Sequence, residues 1–339
     1  MKKSRKSPQA GKGISTPEEL HELAMAFQKS RIVLAAFKLD VFSAIGGESL
    51  PSAEIASRIK ADARGTDRLL NALCALGLLE KKRGIFSNTK FSLRYLRRGG
   101  EEYLAGLGHS ANLYQSWATL DEAVREGGSV LQRPHKERSG DSLEYFIAAM
   151  HQRARLTAHV VVSKIDLSGV KRVLDVGGGS GMYSMAFARA SEGLEAVVFD
   201  LPGVTGIAER YIASEGLSDR ISTKGGNYLT DDLGAGYDLV FISAVMHINS
   251  YEENRMLASK AYKALNPGGR IAIQDQVMDE DRVHPEGGAV FALNMLVNTP
   301  HGDTYTESEI RQWLAEAGFR DVRRIETVAG NALMIGTKS

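Results

Sequence analysis

The strongest structural signal in the sequence is Val173-Leu174-Asp175-Val176-Gly177-Gly178-Gly179-Ser180-Gly181. Its first half predicts a short buried strand, and its glycines predict a turn at which the backbone approaches a ligand closely. A helical pattern over 182–190 follows directly. The spacing excludes the dinucleotide fingerprint Gly-x-Gly-x-x-Gly, which needs a glycine where Met182 stands, and it excludes a P-loop because no Gly-Lys-Ser/Thr follows.

Strand and helix patterns alternate on the carboxyl-terminal side of this segment. Short apolar runs rich in β-branched residues lie at 196–200, 238–242 and 270–273, and helical patterns lie at 204–215 and 251–264. This alternation predicts an α/β fold with a doubly wound, mostly parallel sheet. At the end of the chain, 322–327 and 332–337 flank Gly330 and predict an antiparallel hairpin.

Residues 17–98 have a different pattern, in which short helices end in a β-ribbon. Thr16 followed by Pro17 is a helix start, and Thr66 is the expected cap of a third helix. That helix carries four leucines at three- and four-residue spacing: Leu69, Leu70, Leu73 and Leu76. The pattern predicts a winged helix, but a mostly apolar third helix offers few side chains for base edges. A packing or dimerisation module is therefore expected, with no nucleic-acid partner.

Composition and charge exclude several classes of protein. The chain has 339 residues, a formal net charge of +1 and one cysteine, Cys74. No apolar run reaches the ~18–20 residues that span a bilayer, so no membrane insertion is expected. A single cysteine fits a reducing, cytoplasmic location, and the histidines show no metal-ligand spacing, so no metal is expected. The basic segment 1–16 has no apolar region after it and is expected to be a disordered leader.

Asp200 ends the second predicted strand, 19 residues after Gly181. An acid at that place reaches a ribose diol, to which a carboxylate makes charge-assisted hydrogen bonds. Together with the glycine loop on the neighbouring strand, Asp200 indicates a nucleoside-containing cofactor.

Several motifs of the chain resemble class I S-adenosylmethionine-dependent methyltransferases. The motifs occur in the same order: Asp175-x-Gly-Gly-Gly-x-Gly181, Phe199-Asp200-Leu201-Pro202, Gly225-Gly226-Asn227, Asn266-Pro267-Gly268-Gly269 and Glu316-Ala317-Gly318-Phe319. Over residues 17–339 the sequence is most similar to the two-domain O-methyltransferases of plant phenylpropanoid, acetylserotonin, carotenoid and bacterial polyketide metabolism. The resemblance implies a seven-stranded sheet, S-adenosyl-L-methionine as cofactor, a small-molecule acceptor and a homodimer formed through the N-terminal domain.

The resemblance also implies cofactor-binding roles, residue by residue. Gly177, Gly179 and Gly181 would face the methionine part, and Asp200 would bind the ribose. Asp175 and Leu201 are also expected to bind the cofactor. Asn227 and Tyr228 would flank the adenine, although that family usually has Gly-Asp there. Ser243 stands where the family frequently has a lysine. The family pattern His-Asp-Trp is His247-Ile248-Asn249 here, and a second family acid is replaced by Thr304.

His247 and Asp275 are the expected catalytic pair. His247 follows the predicted strand Tyr237–Met246, and Asp275 ends the next strand, where doubly wound sheets bind ligands. Adjacent strands lie ~4.8 Å apart, so Asp275 is expected to orient the imidazole while its other nitrogen faces the acceptor. A phenol with a pKa of about 10 is mostly neutral at pH 7 and benefits from such a base. The resembling family has a histidine and an acid at these positions.

Apolar residues at helical spacing indicate an acceptor pocket. These residues are Tyr114, Trp117, Phe146, Met150, Phe291 and Met295. Each is compatible with an ordinary core position, but as a set they fit a flat apolar acceptor such as a phenol, quinol or polyene alcohol.

The expected organisation is a leader (1–16), a winged-helix-like dimerisation domain (17–98), a helical linker and pocket region (99–164) and a cofactor-binding catalytic domain (165–339). Two alternatives remain open. One keeps the cofactor but methylates carbon or transfers no methyl group. The other is a ligand-sensing winged-helix regulator, which operator DNA binding would distinguish from an enzyme that produces S-adenosylhomocysteine.

Overall fold

The structure is a computed structural model that describes residues 13–131, 140–328 and 330–339. Most of the predicted leader, residues 132–139 and residue 329 of the predicted hairpin turn lie outside these ranges. The chain divides into two compact units, one ending at Tyr103 and the other beginning at Leu104. Among the described residues no helix has the length and apolar character needed to cross a membrane.

The N-terminal unit combines helices with a small antiparallel sheet. Its helices are α1 (Pro17–Met25), α2 (Phe27–Lys38), α3 (Val41–Ile45), α4 (Ser52–Arg58), α5 (Ala63–Ala75) and α6 (Lys90–Tyr95). Its strands are β1 (Ser49–Pro51), β2 (Leu79–Lys82) and β3 (Ile85–Asn88), in the order β1-β3-β2. The helices followed by a ribbon form the expected winged-helix pattern.

The predicted cap of α5 is wrong. The helix begins at Ala63, and the Asp62 carboxylate accepts a hydrogen bond of 2.8 Å from the Gly65 N–H. Thr66 lies inside the helix and is buried. Aspartate is at least as favourable an N-cap as threonine, so the helix begins after Asp62 instead.

The exposed apolar surface of the N-terminal unit does not lie on the third helix of the predicted winged helix, as the sequence suggested. Leu70 and Leu73 of α5 are 0% exposed, so they belong to the unit's own core. Helix α1, in contrast, contains no buried residue, and Leu20 and Leu23 are 56% and 62% exposed. Phe27, at the start of α2, is 50% exposed. The free apolar face of this unit therefore lies on α1 and the start of α2.

The C-terminal unit contains eight helices among its described residues: α7 (Leu107–Trp117), α8 (Leu120–Glu126), α9 (Asp141–Val162), α10 (Met182–Ala190), α11 (Pro202–Ser214), α12 (Tyr251–Ala264), α13 (Glu286–Asn298) and α14 (Glu307–Ala317). Its strands are β4 (Arg172–Val176), β5 (Glu195–Asp200), β6 (Ile221–Gly225), β7 (Tyr237–Ser243), β8 (Leu265–Asp275), β9 (Val277–Met278), β10 (Tyr305–Thr306), β11 (Phe319–Glu326) and β12 (Ala332–Lys338).

Seven of these strands form one sheet in the order β11-β12-β8-β7-β4-β5-β6. Strand β12 is antiparallel to both of its neighbours, and the remaining pairs are parallel. The predicted doubly wound, mostly parallel seven-stranded fold is therefore confirmed. Strand β6 had no strand prediction because it is an edge strand in which only Ile221 is buried.

The strand that precedes His247 is shorter than predicted. It ends at Ser243 rather than Met246, because Ala244 adopts a left-handed conformation with φ of 55°. A single 3-10 turn over Met246–Ile248 then carries His247. The register pairs Ser243 with Gln274, so the end of β7 lies beside the end of β8. The carboxyl ends of β4, β5, β7 and β8 thus meet at one edge of the sheet.

Candidate active site

The glycine loop leaves β4 at this edge with an unusual backbone. Gly177 has a φ of 68°, and its N–H donates to the Phe199 carbonyl oxygen at 2.7 Å, which ties the loop to β5. A Cβ atom at Gly177 would lie 2.5 Å from Val245 Cγ2, whereas one at Gly179 meets only Ile147 Cδ1 at 4.0 Å. The loop is thus closed towards the sheet and open on its outer side, as a ligand cradle requires.

Asp200 lies at the end of β5, directly beside the loop. Its Oδ2 accepts the Gly179 N–H at 2.8 Å and its Oδ1 accepts the Leu201 N–H at 2.7 Å. Burial raises the pKa of the Asp200 carboxyl, and the two N–H groups oppose that rise. The carboxylate is consequently held in one orientation with further lone pairs available.

Asp175 lies beneath the loop and is 1% exposed. Its Oδ2 accepts a hydrogen bond of 2.8 Å from the Ser184 hydroxyl. Burial, and to a lesser degree the neighbouring Asp200 charge, raises the pKa of Asp175 to about 7. Gly181, the last loop glycine, has a φ of 75° and caps α10.

A second loop follows β6 and contains Asn227 and Tyr228. Asn227 Oδ1 accepts the Leu229 N–H at 3.0 Å, and the Asn227 N–H donates to Asp231 at 2.9 Å. The Tyr228 hydroxyl donates to Asn249 at 2.9 Å, and burial raises the pKa of this phenol above its usual range. The Asn227 side chain therefore stabilises the loop from within, whereas the Tyr228 side chain connects the loop to Asn249.

Ser243 ends β7 and hydrogen-bonds through its hydroxyl to the Gln274 side chain. The Tyr183 hydroxyl donates to the same Gln274 oxygen at 3.0 Å. Gln274 is 5% exposed and was missed in the sequence, although a polar residue at the carboxyl end of a buried strand is itself a signal.

His247 and Asp275 are in direct contact. His247 Nδ1 lies 2.8 Å from Asp275 Oδ1, and both residues are buried. The backbone N–H groups of Gln276 and His247 also donate to the carboxylate, at 2.8 and 3.3 Å. A carboxylate that accepts from Nδ1–H leaves Nε2 as a proton acceptor. An imidazole held in this way can accept a proton at Nε2.

The residues predicted to line an acceptor pocket fall into two sets. On one side, Phe291 packs edge-on against the His247 ring at 4.8 Å, and the Trp117 indole N–H donates to Asn294 at 2.9 Å. Asn294 lies one turn from Phe291 on α13, while Met295 of the same helix is 3% exposed.

On the other side, Phe146 and Met150 lie half-buried on α9. Phe146 packs edge-on against His109 at 5.3 Å, and its neighbour Ile147 faces the glycine loop. Tyr114 is half-buried on α7, the helix that also carries His109.

His151 is another contact of the loop that the sequence did not indicate. Its Nδ1 lies 3.0 Å from the Ser180 hydroxyl, and its ring stacks on Tyr211 at 4.1 Å. Burial, followed by the Arg155 charge, lowers the pKa of His151. Only the tertiary fold brings α9 against the loop, so no local pattern could have identified this histidine.

Among residues 13–131, 140–328 and 330–339, no three histidine, cysteine or acidic side chains are grouped as a metal site would require.

Comparison with known proteins gives the family. The model of the O-methyltransferase domain matches residues 117–320, and that of the O-methyltransferase dimerisation domain matches residues 21–98. The chain belongs to the S-adenosylmethionine-dependent O-methyltransferase family.

Individual relatives extend over nearly the whole chain. The 3-hydroxy-5-methyl-1-naphthoate 3-O-methyltransferase of Streptomyces sahachiroi is 32% identical, with 97% of this chain and 99% of the relative covered. Acetylserotonin O-methyltransferase of Bos taurus is 34% identical, with coverages of 93% and 95%. The solved structure of human N-acetylserotonin methyltransferase in complex with S-adenosylmethionine is 27% identical and has a TM-score of 0.81. The match covers 98% of this chain and 100% of that structure's chain.

Proposed function

We propose that this protein transfers the methyl group of S-adenosylmethionine to a hydroxyl of a small, largely apolar aromatic or polyene acceptor, with His247 as general base. The observation that carries the proposal is the buried contact of 2.8 Å between His247 Nδ1 and Asp275, beside the edge of the Phe291 ring. The base, the glycine loop and Asp200 all lie at the carboxyl ends of neighbouring strands. The acceptors named for the relatives from Streptomyces and cattle are aromatic, which agrees with this class.

The residues at the cofactor side fit the cofactor. The open face at Gly179 admits a ligand against the main chain, and the oriented Asp200 carboxylate can accept hydrogen bonds from the hydroxyls of a ribose. The loop around Asn227 and Tyr228 borders the same edge and is assigned to the adenine. The Ser243 hydroxyl lies at the adjacent strand end. The bound cofactor supplies a methyl group on a sulfonium centre, which is a strong electrophile.

The protein's own residues then have two tasks. The first is to align the acceptor hydroxyl with the methyl group, because correct orientation lowers the barrier of such a displacement substantially. We assign this task to the aromatic side chains Phe291, Trp117 and Phe146, with Tyr114, Met150 and Met295 completing the wall. The second task is to remove the hydroxyl proton. His247 Nε2 accepts it while Asp275 stabilises the ring through Nδ1–H, and solvent later takes the proton.

The organisation proposed for the chain follows from these roles. Residues 17–98 form the dimerisation domain, 99–164 the linker and pocket region, and 165–339 the catalytic domain, in a cytoplasmic enzyme. The homodimer is supported by the exposed apolar face of α1, since a free surface of this kind marks an interaction site. Light scattering should give twice the 36.8 kDa chain mass. Replacing both Leu20 and Leu23 by glutamate should give the single-chain mass.

The matched control for the dimer is Leu156→Glu, because Leu156 on α9 is 73% exposed. This variant should keep the mass of the wild type. A wild-type mass of one chain at micromolar concentration would contradict the dimer.

The deciding experiment for the reaction is an acceptor screen. Phenolic, quinol and hydroxy-carotenoid compounds are incubated with S-adenosylmethionine carrying a deuterated methyl group, and mass spectrometry detects the labelled product. Fragmentation and NMR identify the methylated atom. Label on oxygen supports the proposal. Label on carbon or nitrogen, or DNA binding without any turnover, contradicts it.

A further inference from the structure

A chain of side-chain hydrogen bonds joins two separate loops of the site. The Tyr228 hydroxyl donates to Asn249 Oδ1 at 2.9 Å. Asn249 Nδ2 donates to Asn254 Oδ1 at 3.1 Å, and Asn254 Nδ2 donates to the carbonyl oxygen of Met246 at 2.9 Å. Asn249 and Asn254 are both 0% exposed. We call Tyr228, Asn249 and Asn254 the amide relay.

The end of the relay determines its direction. A backbone carbonyl only accepts, so Asn254 must present Nδ2 to Met246 and Oδ1 to Asn249. Asn249 must then present Nδ2 to Asn254 and Oδ1 to Tyr228. The tyrosine is thereby required to donate, and every link is matched. Removing any one link leaves a buried polar group unpaired, which is costly.

The two ends of the relay belong to different parts of the site. Tyr228 is on the loop assigned to the adenine, whereas Met246 immediately precedes His247 in the same 3-10 turn. Asn249 is also fixed from outside the relay, because its carbonyl oxygen accepts from the Tyr305 hydroxyl at 2.5 Å and its N–H donates to Met246 at 3.2 Å. A shift of the Tyr228 loop is therefore transmitted to the backbone that carries His247.

Position 249 is also one at which this chain departs from the His-Asp-Trp pattern of its family. An indole at that position has no acceptor for the Tyr228 hydroxyl, whereas the amide accepts from Tyr228 and donates to Asn254 at the same time. The relay is thus a property of this chain's own residues.

We propose that Asn249 is a positioning residue, which through Tyr228 and Asn254 couples the cofactor loop to the turn that carries His247. The inference rests on the proposed function, because it takes Tyr228 to border the adenine and His247 to be the base. Coupling between two sites is reciprocal in binding free energy. A change at the Asn254 end must therefore alter cofactor affinity through Tyr228. For the transfer step we expect an effect of Tyr228 for a separate reason, because the relay ends on the turn that carries His247.

The first test is a double-mutant cycle on the binding of S-adenosylhomocysteine, measured by calorimetry. Tyr228→Phe and Asn254→Leu should each weaken binding about 5-fold, the lower end of typical coupling. The double variant should also be weakened about 5-fold rather than about 25-fold, because each change breaks the same connection. Additive losses, or unchanged affinity in Asn254→Leu, would overturn the proposal.

The second test measures methyl transfer at saturating cofactor. Tyr228→Phe should lower the transfer rate about 5-fold in the wild-type background and should leave the rate unchanged in the His247→Asn background, since the relay acts through that histidine. A merely structural role predicts equal losses in both backgrounds. Tyr228→Phe keeps the ring, so this arm decides the matter if Asn254→Leu does not fold.

Tyr262→Phe is the matched control, because Tyr262 is on the same helix as Asn254 and packs on Phe319 outside the relay. It should match the wild type in both measurements. The outcomes separate the two proposals. No methyl transfer together with a non-additive binding cycle rejects the proposed function and keeps the coupling. Methyl transfer together with an additive binding cycle keeps the proposed function and rejects the coupling.

Discussion

The proposed cofactor side and the proposed acceptor side of the site are built from different groups. On the cofactor side, main-chain N–H groups of Gly179 and Leu201 hold the Asp200 carboxylate, and the loop depends on glycines. On the acceptor side, side chains from three elements meet: His247 from a 3-10 turn, Asp275 from β8 and Phe291 from α13. A site built from main-chain groups tolerates few changes of backbone conformation. A site built from side chains depends instead on tertiary contacts between segments that are distant in the sequence.

The largest expected effect falls on the acceptor side alone. His247→Asn should lower the transfer rate ~10²–10⁴-fold, because the base is lost, while affinity for S-adenosylhomocysteine stays close to that of the wild type. The loss should shrink as pH rises towards the acceptor's own pKa, where solvent ionises the hydroxyl unaided. Steady-state rates across pH and calorimetry check both statements.

The control for His247 is His159→Asn, since His159 is exposed on α9. It should turn over like the wild type. If His247→Asn itself shows wild-type rates at neutral pH, alignment alone carries the reaction and the base assignment is wrong.

The opposite pattern is expected for Asp200. Asp200→Ala should weaken S-adenosylhomocysteine binding by roughly 1.5–3 kcal/mol through the loss of charge-assisted hydrogen bonds. Asp200→Asn, which keeps one acceptor oxygen without charge, should lie between the two. Calorimetry of the three proteins gives the order, and equal affinities would remove Asp200 from the ribose site.

Alanine variants test whether Gly177 is needed only for its left-handed backbone or also because a side chain would collide with Val245. Gly177→Ala should reduce the free energy of unfolding by roughly 2–3 kcal/mol, because it combines a left-handed φ with a contact against Val245. Gly216→Ala is the matched control, since Gly216 has a φ of 67° but no atom within 4 Å of the added Cβ.

Chemical denaturation measures both glycine variants. The Gly216 variant should lose only about 1–2 kcal/mol, the cost of left-handed alanine. Equal losses in the two variants would show that Val245 does not constrain the loop.

The last prediction concerns the pH dependence of stability that Asp175 causes under the loop. Its pKa is about 7 in the folded protein, well above that of an unfolded aspartate. Between pH 4 and 7 the folded state retains a proton that the unfolded state has lost, so this residue's contribution to stability falls as pH rises. Asp175→Asn removes that dependence, so its stability relative to the wild type should rise by about 1.4 kcal/mol for each pH unit between pH 5 and 7.

The pH-dependent advantage of the Asp175 variant should vanish below about pH 3, where both states of the wild type are protonated. Denaturation midpoints across this range provide the measurement. A constant difference at every pH would contradict the raised pKa of Asp175.

Much of the fold could be predicted because its signals are local. The run before Gly177 is apolar and β-branched, and such runs form strands wherever both faces are covered. Edge strand β6 was not predicted, because Ile221 is its one buried residue and leaves no periodic pattern. The predicted end of β7 was wrong because Ala244 adopts a left-handed backbone conformation, which alanine rarely does.

The candidate site divides along the same line. Sequence alone determined the glycine loop and Asp200, because a main-chain turn needs glycine at set positions and an acid at the next strand end. It also placed His247 after one strand and Asp275 at the end of the neighbouring strand. The tertiary structure alone decided their 2.8 Å contact, the stacking of His151 behind the loop and the amide relay. These contacts join segments far apart in the chain, and directional hydrogen bonds form only after packing has brought those segments together.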